Sequence, residues 1–261
     1  SQDEVDGSPG YDVSSYGLAV GADAQVSDEW LAGAALAYSQ ADIKGDTIST
    51  NEIDVDSLQL VGYGSFTPTE QLTFDMIASF GFNDNDTTRS FSFMDSQAKA
   101  NYDSWYGRLY VNSGYDFAMS ETITLTPVVS LGYTYVEEDS YTEKGAGALS
   151  LDVDSNDADS LILGLDGIAS FGFNDNRVKV TTKVGVGYDF LTDESVLSAS
   201  YVGGGPVFGT AGAEPDELVY NAGVGMEILP GDRWELKVNY EYQGRDDFDN
   251  QIVAAKVRWA F

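Results

Sequence analysis

The chain has 261 residues, a formal net charge of −30 at pH 7, no cysteine and no histidine. Nucleic-acid binding needs a basic surface, which so acidic a chain does not provide. Nucleic acid is therefore excluded as a partner. Without histidine it also lacks the usual general base beside a serine or cysteine nucleophile, which argues against hydrolytic catalysis.

No run of about 18 apolar residues occurs, so the sequence predicts no transmembrane helix. Apolar and polar residues instead alternate with a period of two along almost the whole chain, which indicates β-strands. Residues 1–15 are polar, acidic and interrupted by Gly7, Pro9 and Gly10, so an irregular N-terminal segment is predicted there. Residues 16–261 are predicted to form one large β-domain.

The alternation predicts ten or eleven long strands and no helix. The strands cover residues 16–26, 30–43, 52–66, 72–83, 98–117, 122–136, 161–173, 177–190, 218–228, 234–243 and 253–261. Short turns such as 27–29 and 67–71 alternate with long excursions such as 137–160 and 192–216, and the second excursion contains a short hairpin at 196–208. Short turns on one side and long loops on the other are typical of outer-membrane barrels, whose strands need about 9–11 residues to cross.

The clearest pattern lies in the last two strands. One face of this pair is apolar and ends in aromatic residues, and the other carries Lys237, Lys256 and Arg258. A lysine or arginine that faces lipid costs about 2–4 kcal/mol at the middle of a bilayer. In a membrane barrel these cations must therefore face the lumen.

A soluble β-sandwich with its apolar faces turned inward fits the same period of two. Against it, a barrel of more than about eight strands encloses more space than side chains can fill. This favours an all-β, antiparallel transmembrane β-barrel with lipid outside and water inside, while the soluble sandwich stays open as an alternative.

Several stretches carry a resemblance to a known family. They are YGLAVGAD at 16–23, WLAGAALAY at 30–38, LQLVGYGSF at 58–66, GGGPVF at 203–208 and NAGVG at 221–225, followed by the closing strand pair that ends in Phe261. In their order and spacing they resemble the translocator domain of bacterial autotransporters, the type V secretion systems.

The resemblance implies a barrel of about twelve strands in the outer membrane of a Gram-negative bacterium. It implies a non-enzymatic anchor that helps to export and display an N-terminal passenger, with that passenger, outer-membrane lipids, lipopolysaccharide and the barrel-assembly machinery as partners. Two features depart from the family. Residues 1–15 show no helical period where the family has a linker helix, and the strand order places the family's first strand upstream of residue 1. A stand-alone channel or scaffold of the same fold is the alternative.

Three groups of candidate site residues follow. Alternation places a basic row on inward faces, either paired with lumen carboxylates or contacting a passenger linker or anions: Arg177, Lys179, Lys183, Lys237, Lys256 and Arg258. Aromatic residues at the lipid interface are expected at Trp234, Tyr240, Tyr242 and Trp259. By resemblance, Val257, Trp259 and Phe261 form a C-terminal assembly signal. No catalytic, metal or cofactor site is predicted, because Asp152–Asp157 begins like a calcium loop but lacks its glycine and its final glutamate.

Overall fold

The structure is a computed structural model, and it describes residues 1–2, 10–45, 51–91, 95–192, 196–212, 215–229, 233–246 and 248–260. Eleven long strands make up most of the described chain. They are β1 (Tyr11–Gln25), β2 (Trp30–Gly45), β3 (Asn51–Phe66), β4 (Leu72–Phe91), β5 (Ser96–Tyr115), β7 (Ile123–Glu138), β10 (Asn156–Phe173), β11 (Val178–Asp189), β14 (Leu218–Ile228), β15 (Trp234–Arg245) and β16 (Phe248–Trp259). Five short strands lie between them: β6 (Phe117–Ala118), β8 (Tyr141–Thr142), β9 (Leu151–Val153), β12 (Val196–Tyr201) and β13 (Phe208–Ala211).

The eleven long strands form one antiparallel sheet in which each strand pairs with the next long strand along the chain. The sheet is curled, and two-residue β6 pairs with β7 at its margin. The prediction of an all-β antiparallel barrel of the outer-membrane type is confirmed. Among the described residues, no helix is both long and apolar enough to cross a membrane.

Apolar side chains on the outside of the curl are exposed, because each strand turns its alternate residues outward. Leu18 is 74% exposed, Val253 is 77% exposed and Leu60 is 58% exposed, and the described residues include only six buried hydrophobic side chains. A soluble sandwich would bury such rows between two sheets. The soluble β-sandwich alternative is therefore wrong.

The two ends of the curl differ in their connections. One end, here called the inner end, carries tight turns such as 174–177, where Asn174, Asp175 and Asn176 all have positive φ. The opposite, outer end carries the long excursions. There β8, β9, β12 and β13 form a separate four-stranded sheet in the order β13-β12-β9-β8, here called the outer sheet. The hairpin predicted at 196–208 is confirmed as β12 and β13, and it lies in the outer sheet.

The outer sheet continues the barrel wall, because Lys144 pairs with Lys99 near the outer end of β5. Arg89 of β4 connects the outer sheet to the wall through side-chain hydrogen bonds. Its Nε donates to Glu143 Oε1 at 3.0 Å, and its Nη2 donates to the Leu149 carbonyl oxygen at 3.1 Å. The rings of Tyr102 and Tyr141 stack with centroids 4.5 Å apart, and burial raises the pKa of Tyr141 to about 12. These contacts make the outer sheet a packed part of the fold.

A second buried ion pair lies at the outer end of β11. Asp189 is 2% exposed, and its Oδ2 accepts a hydrogen bond from Arg245 Nη2 at 2.7 Å. Asp189 also accepts from the Ser160 hydroxyl at 2.8 Å and from the Leu161 backbone N–H at 3.0 Å. Because removal of one partner would leave a buried charge, this network fixes β10, β11 and β15 to one another at the outer end.

The N-terminal boundary differs from the prediction. Strand β1 begins at Tyr11, so the prediction that residues 1–15 are irregular is wrong for the last five of them. Asp12 and Ser14 lie on the outward face of β1, where a position beyond the membrane needs no apolar residue. The apolar alternation that would predict a strand is therefore absent there. Of the earlier residues, only 1–2 and 10 are described, and Gln2 forms antiparallel bridges both to Tyr11 of β1 and to Phe248 of β16.

Inward-facing glycines receive aromatic rings from the neighbouring strand. A Cβ added at Gly81 would lie 2.2 Å from Cε1 of Tyr106, and one added at Gly33 would lie 2.4 Å from Cζ of Tyr63. Such pairs fix the register of adjacent strands and fill the space that the glycine leaves.

Gly81→Ala is expected to destabilise the barrel by about 1–3 kcal/mol, because the Tyr106 ring must leave its position. Gly107→Ala is the matched control, since a Cβ there meets nothing within 4 Å. The measurement is the midpoint of urea unfolding in detergent. Equal midpoints for the two variants would contradict the packing argument, and Tyr106→Ala should reduce the cost of Gly81→Ala.

Single cysteines in adjacent positions test the two faces. Cysteines that replace Val184, Val238 and Val257 should react with lipid-soluble but not with water-soluble thiol reagents in reconstituted vesicles, because these positions lie on the exposed apolar face. Cysteines that replace Lys183, Lys237 and Lys256, each one position before one of these valines, should show the opposite labelling. A reversed labelling pattern would mean that the faces have been assigned wrongly.

Candidate functional site: the lumen wall

The inner face of the curl borders a cavity of 520 Å³ whose lining includes eight charged residues. Strands β4, β5, β7, β10, β11, β14 and β15 all contribute to it. Its charged lining residues are Asp75, Asp116, Asp166, Lys179, Lys183, Glu227, Lys237 and Glu241. Cations and carboxylates thus meet in one chamber, although they are far apart in the sequence.

The structure brings part of the basic row together. Lys179, Lys183 and Lys237 line the 520 Å³ chamber. Arg177 and Arg258 line a second cavity of 340 Å³ at the inner end, beside Glu235. Lys256 lies directly opposite Lys237 in the β15–β16 register.

Register explains the ion pairing of this wall. Lys179, Glu227, Lys237 and Lys256 are consecutive partners in one row across β11, β14, β15 and β16. Lys237 Nζ lies 3.0 Å from Glu227 Oε2, and Lys183 Nζ lies 3.5 Å from Glu241 Oε2. The row therefore carries more positive than negative charge, with the surplus at Lys179 and Lys256.

Arg258 connects the last strand to the first. Its guanidinium forms an ion pair with Asp23 of β1, and Asp23 Oδ2 accepts a hydrogen bond from the Tyr63 hydroxyl at 3.1 Å. Arg258 also lies 3.8 Å from Glu235. One lumen network thus links β15, β16, β1 and β3 at the inner end.

The wall formed by β1 and β2, which lies next to β16 across the seam, has mostly small, uncharged side chains. On β1 and β2 the inward positions include Gly17, Ala19, Gly21, Ala35 and Ala37. The lumen therefore has one smooth wall and one charged wall. The sequence analysis missed this asymmetry, although the glycine- and alanine-rich composition of β1 and β2 contains the signal.

The predicted interface aromatics are exposed on the outward face. Trp234 and Trp259 are directly opposite in register and stack with centroids 5.8 Å apart near the inner end. Tyr240 and Tyr242 lie further along β15 and are 39% and 37% exposed. The sequence analysis missed most of the two aromatic belts: Trp30, Phe66 and Phe74 stack at the inner end, and Phe80, Phe82, Trp105 and Tyr135 cluster toward the outer end.

Two members of the predicted assembly signal, Val257 and Trp259, lie on the outward face of β16, 64% and 55% exposed. Phe261 lies outside the described residues. The assembly role of these three residues stays a prediction.

The lumen wall suits electrostatic contact with a chain or with ions. Among the described residues, no cluster of three or more His, Cys, Asp or Glu has an arrangement that could hold a metal ion. Lysines and carboxylates at fixed positions in a narrow aqueous space set ion preference and bind charged segments through their summed field.

Lys183→Glu is expected to shift ion preference toward cations in planar-bilayer recordings, because it changes the lumen charge by two units beside Glu241. The exchange Lys183→Glu with Glu241→Lys is the matched control, since it keeps the net lumen charge and restores the pair. A reversal potential that moves equally in the single and the exchanged variant would contradict a selectivity set by net lumen charge. No shift in either would place Lys183 outside the ion path.

Known proteins share this architecture. The translocator domain of the autotransporter NalP from Neisseria meningitidis superposes with a TM-score of 0.81 at 19% identity, over 99% of this chain and 83% of that one. The β-domain of the Bordetella autotransporter BrkA superposes with a TM-score of 0.66 at 19% identity, over 96% of this chain and 92% of that one. At these identities the likeness shows the fold.

Curated relatives are much longer proteins. Outer membrane protein A of Rickettsia conorii is 26% identical over 97% of this chain, which matches 13% of that protein's length. An extracellular serine protease of Serratia marcescens is 29% identical over 61% of this chain, which matches 15% of its length. The chain thus spans less than a sixth of these two relatives.

The family model for the autotransporter β-domain matches residues 1–241. With the curled antiparallel sheet, the exposed apolar belt and the charged lumen, this match shows that the chain belongs to the autotransporter β-domain family and is an outer-membrane translocator barrel of the Gram-negative type.

Proposed function

We propose that this barrel anchors a passenger that precedes it in a longer protein, and that it supports the passenger's export to the cell surface. The observation that carries the proposal is the pairing of a translocator fold with relatives of which it forms only 13–15%. The remaining length in those relatives is available for a separate passenger. The domain itself is a non-enzymatic fold, and we propose no catalytic role for it.

The seam between β1 and β16 supports this proposal. Ser1 and Asp249 exchange backbone hydrogen bonds at 2.7 and 2.9 Å, and Gln2 and Tyr11 do so at 2.9 Å in both directions. Ser1 and Gln2 therefore lie between the first and last long strands, and they run antiparallel to both. Chain that leads into Ser1 in this register would extend along the seam toward the inner end, as a strand joining β16 to β1.

The lumen supports it as well. Its smooth wall of glycine and alanine leaves room for a polypeptide, and its charged wall offers both signs of charge to the polar groups of that polypeptide. The charged wall equally favours the second candidate, a stand-alone channel, because fixed lumen charges also select ions. The partners proposed beyond the passenger are outer-membrane lipids and lipopolysaccharide, treated below, and the barrel-assembly machinery, which would read the C-terminal residues.

A reporter protein fused ahead of Ser1, behind a secretion signal, separates the two candidates. We expect the reporter to become accessible to external protease on intact cells, in step with the amount of heat-modifiable barrel. Phe261→Asp should lower both severalfold at unchanged expression, because the sequence alternation predicts Phe261 on the apolar face of the last strand, where a charge is costly. Ala260→Asp is the matched control, since Ala260 lines the inner-end cavity.

A reporter that remains in the periplasm while the barrel folds and conducts ions would contradict the export proposal and favour the channel. Normal folded barrel after Phe261→Asp would contradict the assembly role of that residue and leave the export proposal standing.

A further inference from the structure

Two lysines form an outward-facing pair near the outer end of the barrel wall. Lys99 and Lys144 exchange backbone hydrogen bonds at 2.8 Å in both directions, so their side chains project from the same face of adjacent strands. Both are exposed. No ion pair joins either of them to a carboxylate among the described residues, although the chain has 43 aspartates and glutamates and only 13 lysines and arginines.

Their neighbours hold this lysine pair in place. Ala98 is fully buried, and Glu143 is 5% exposed and accepts hydrogen bonds from Arg89 and from the Leu151 backbone N–H. Residues that flank a buried residue in a strand face the opposite side. The burial of Ala98 and Glu143 therefore turns Lys99 and Lys144 away from the wall together.

Register sets the lysine pair above two rows of acidic residues. One outward row runs through Gln40, Asp56, Asp84 and Asp103, and the next through Asp42, Asp54, Asp86 and Asn101. The pKa of Asp54 is raised, chiefly because its protonated carboxyl can donate a hydrogen bond to Asp42, as expected for carboxyl groups that face each other across strands. The third row runs through Lys44, Glu52, Thr88, Lys99 and Lys144.

The position of the pair relative to the membrane follows from strand β5. Trp105 lies on the same outward face in the outer aromatic belt, six residues from Lys99. At about 3.3 Å per residue and a strand tilt of about 40°, the pair stands roughly 15 Å above Trp105 along the membrane normal. The headgroup layer of a phospholipid leaflet is only about 5–7 Å deep. Asp103, between Trp105 and Lys99, repels phosphate at the lower level.

We propose that Lys99 and Lys144 bind a phosphate group of a phosphorylated outer-leaflet glycolipid, whose saccharide carries phosphate above the level that a phospholipid headgroup reaches. The inference rests on the proposed function in that it needs an outer-membrane barrel. Two ammonium groups side by side suit one phosphate, which can accept hydrogen bonds from both.

The test is glycolipid binding to the purified full-length protein in detergent, followed by native mass spectrometry. The probes are lipopolysaccharide, the same material after enzymatic dephosphorylation, phosphatidylglycerol and inorganic phosphate. Lys99→Gln with Lys144→Gln is expected to weaken binding of lipopolysaccharide about tenfold, as for two solvent-exposed charge contacts. Lys44→Gln is the matched control, because Lys44 lies in the same row but is paired with Glu52 at 3.4 Å.

The wild type should bind dephosphorylated lipopolysaccharide as weakly as the double variant binds the intact form. Equal binding of intact lipopolysaccharide by wild type and double variant would overturn the proposal. So would an equal loss for phosphatidylglycerol or inorganic phosphate, which would show a site for any phosphate. A change in protease protection of the passenger without a change in lipopolysaccharide binding would assign the pair to a protein partner instead.

Heat-modifiable migration shows whether each variant is folded. If lipopolysaccharide binding is unaffected while passenger display stays normal, the lysine proposal alone fails. If display fails in the wild type, the proposed function fails independently of these lysines.

Discussion

Closure of the sheet is the constraint on which the rest of this structure depends. In a bilayer no water satisfies the backbone N–H and C=O groups of an edge strand, so a spanning sheet must have no free edge. Eleven antiparallel long strands leave β1 and β16 running in the same direction, and each is exposed on both faces through its middle. Among the residues that the structure describes, the Arg258–Asp23 ion pair bridges these edges at the inner end, and Ser1 with Gln2 bridges them at the outer end. The seam is therefore where neighbouring chain has most to contribute.

The alternation of outward and inward side chains determines where the charged residues lie in this closed sheet. Once the outward positions are apolar, charge has to lie in the lumen or beyond the membrane boundary, and this chain uses both places. In the lumen, register sets Lys179, Glu227, Lys237 and Lys256 in one row, and the small residues of β1 and β2 lie beside this row across the seam. At the outer end, the same register lines carboxylates up with carboxylates and Lys99 with Lys144. One periodic pattern thus places charge both in the lumen and beyond the membrane boundary.

The sequence was sufficient for the fold class, most strand positions and the faces, because each depends on local alternation. It was insufficient for the outer end. Strand β4 continues to Phe91 and β10 already begins at Asn156. These extensions were not predicted, because beyond the membrane the outward face carries aspartate and threonine and the apolar alternation disappears. The same loss of signal hid the start of β1 at Tyr11. Arg89–Glu143 and Arg245–Asp189 join residues 54 and 56 positions apart, and the pairing of the two excursions into the outer sheet had no local signature.

Stability is unevenly distributed around the barrel as a result. Strands β4 and β5 pair over their full twenty residues and support the outer sheet. Buried side chains in this region include Ala98 of β5, Val153 of β9 and Ala199 of β12. Across the seam, the interactions between described residues include the Arg258–Asp23 ion pair, the electrostatic attraction between Asp23 and Lys256, and the hydrogen bonds of Ser1 and Gln2. Because local opening starts where buried contacts are fewest, the β1–β16 seam should open before any other part of the wall. Asp23 of β1 attracts Lys256 as well as Arg258, which offsets the repulsion between Lys256 and Lys237 on the neighbouring strand. The β1–β16 seam is thus held by few contacts, whereas Arg89, Lys99 and Tyr102 join β4 and β5 to the outer sheet.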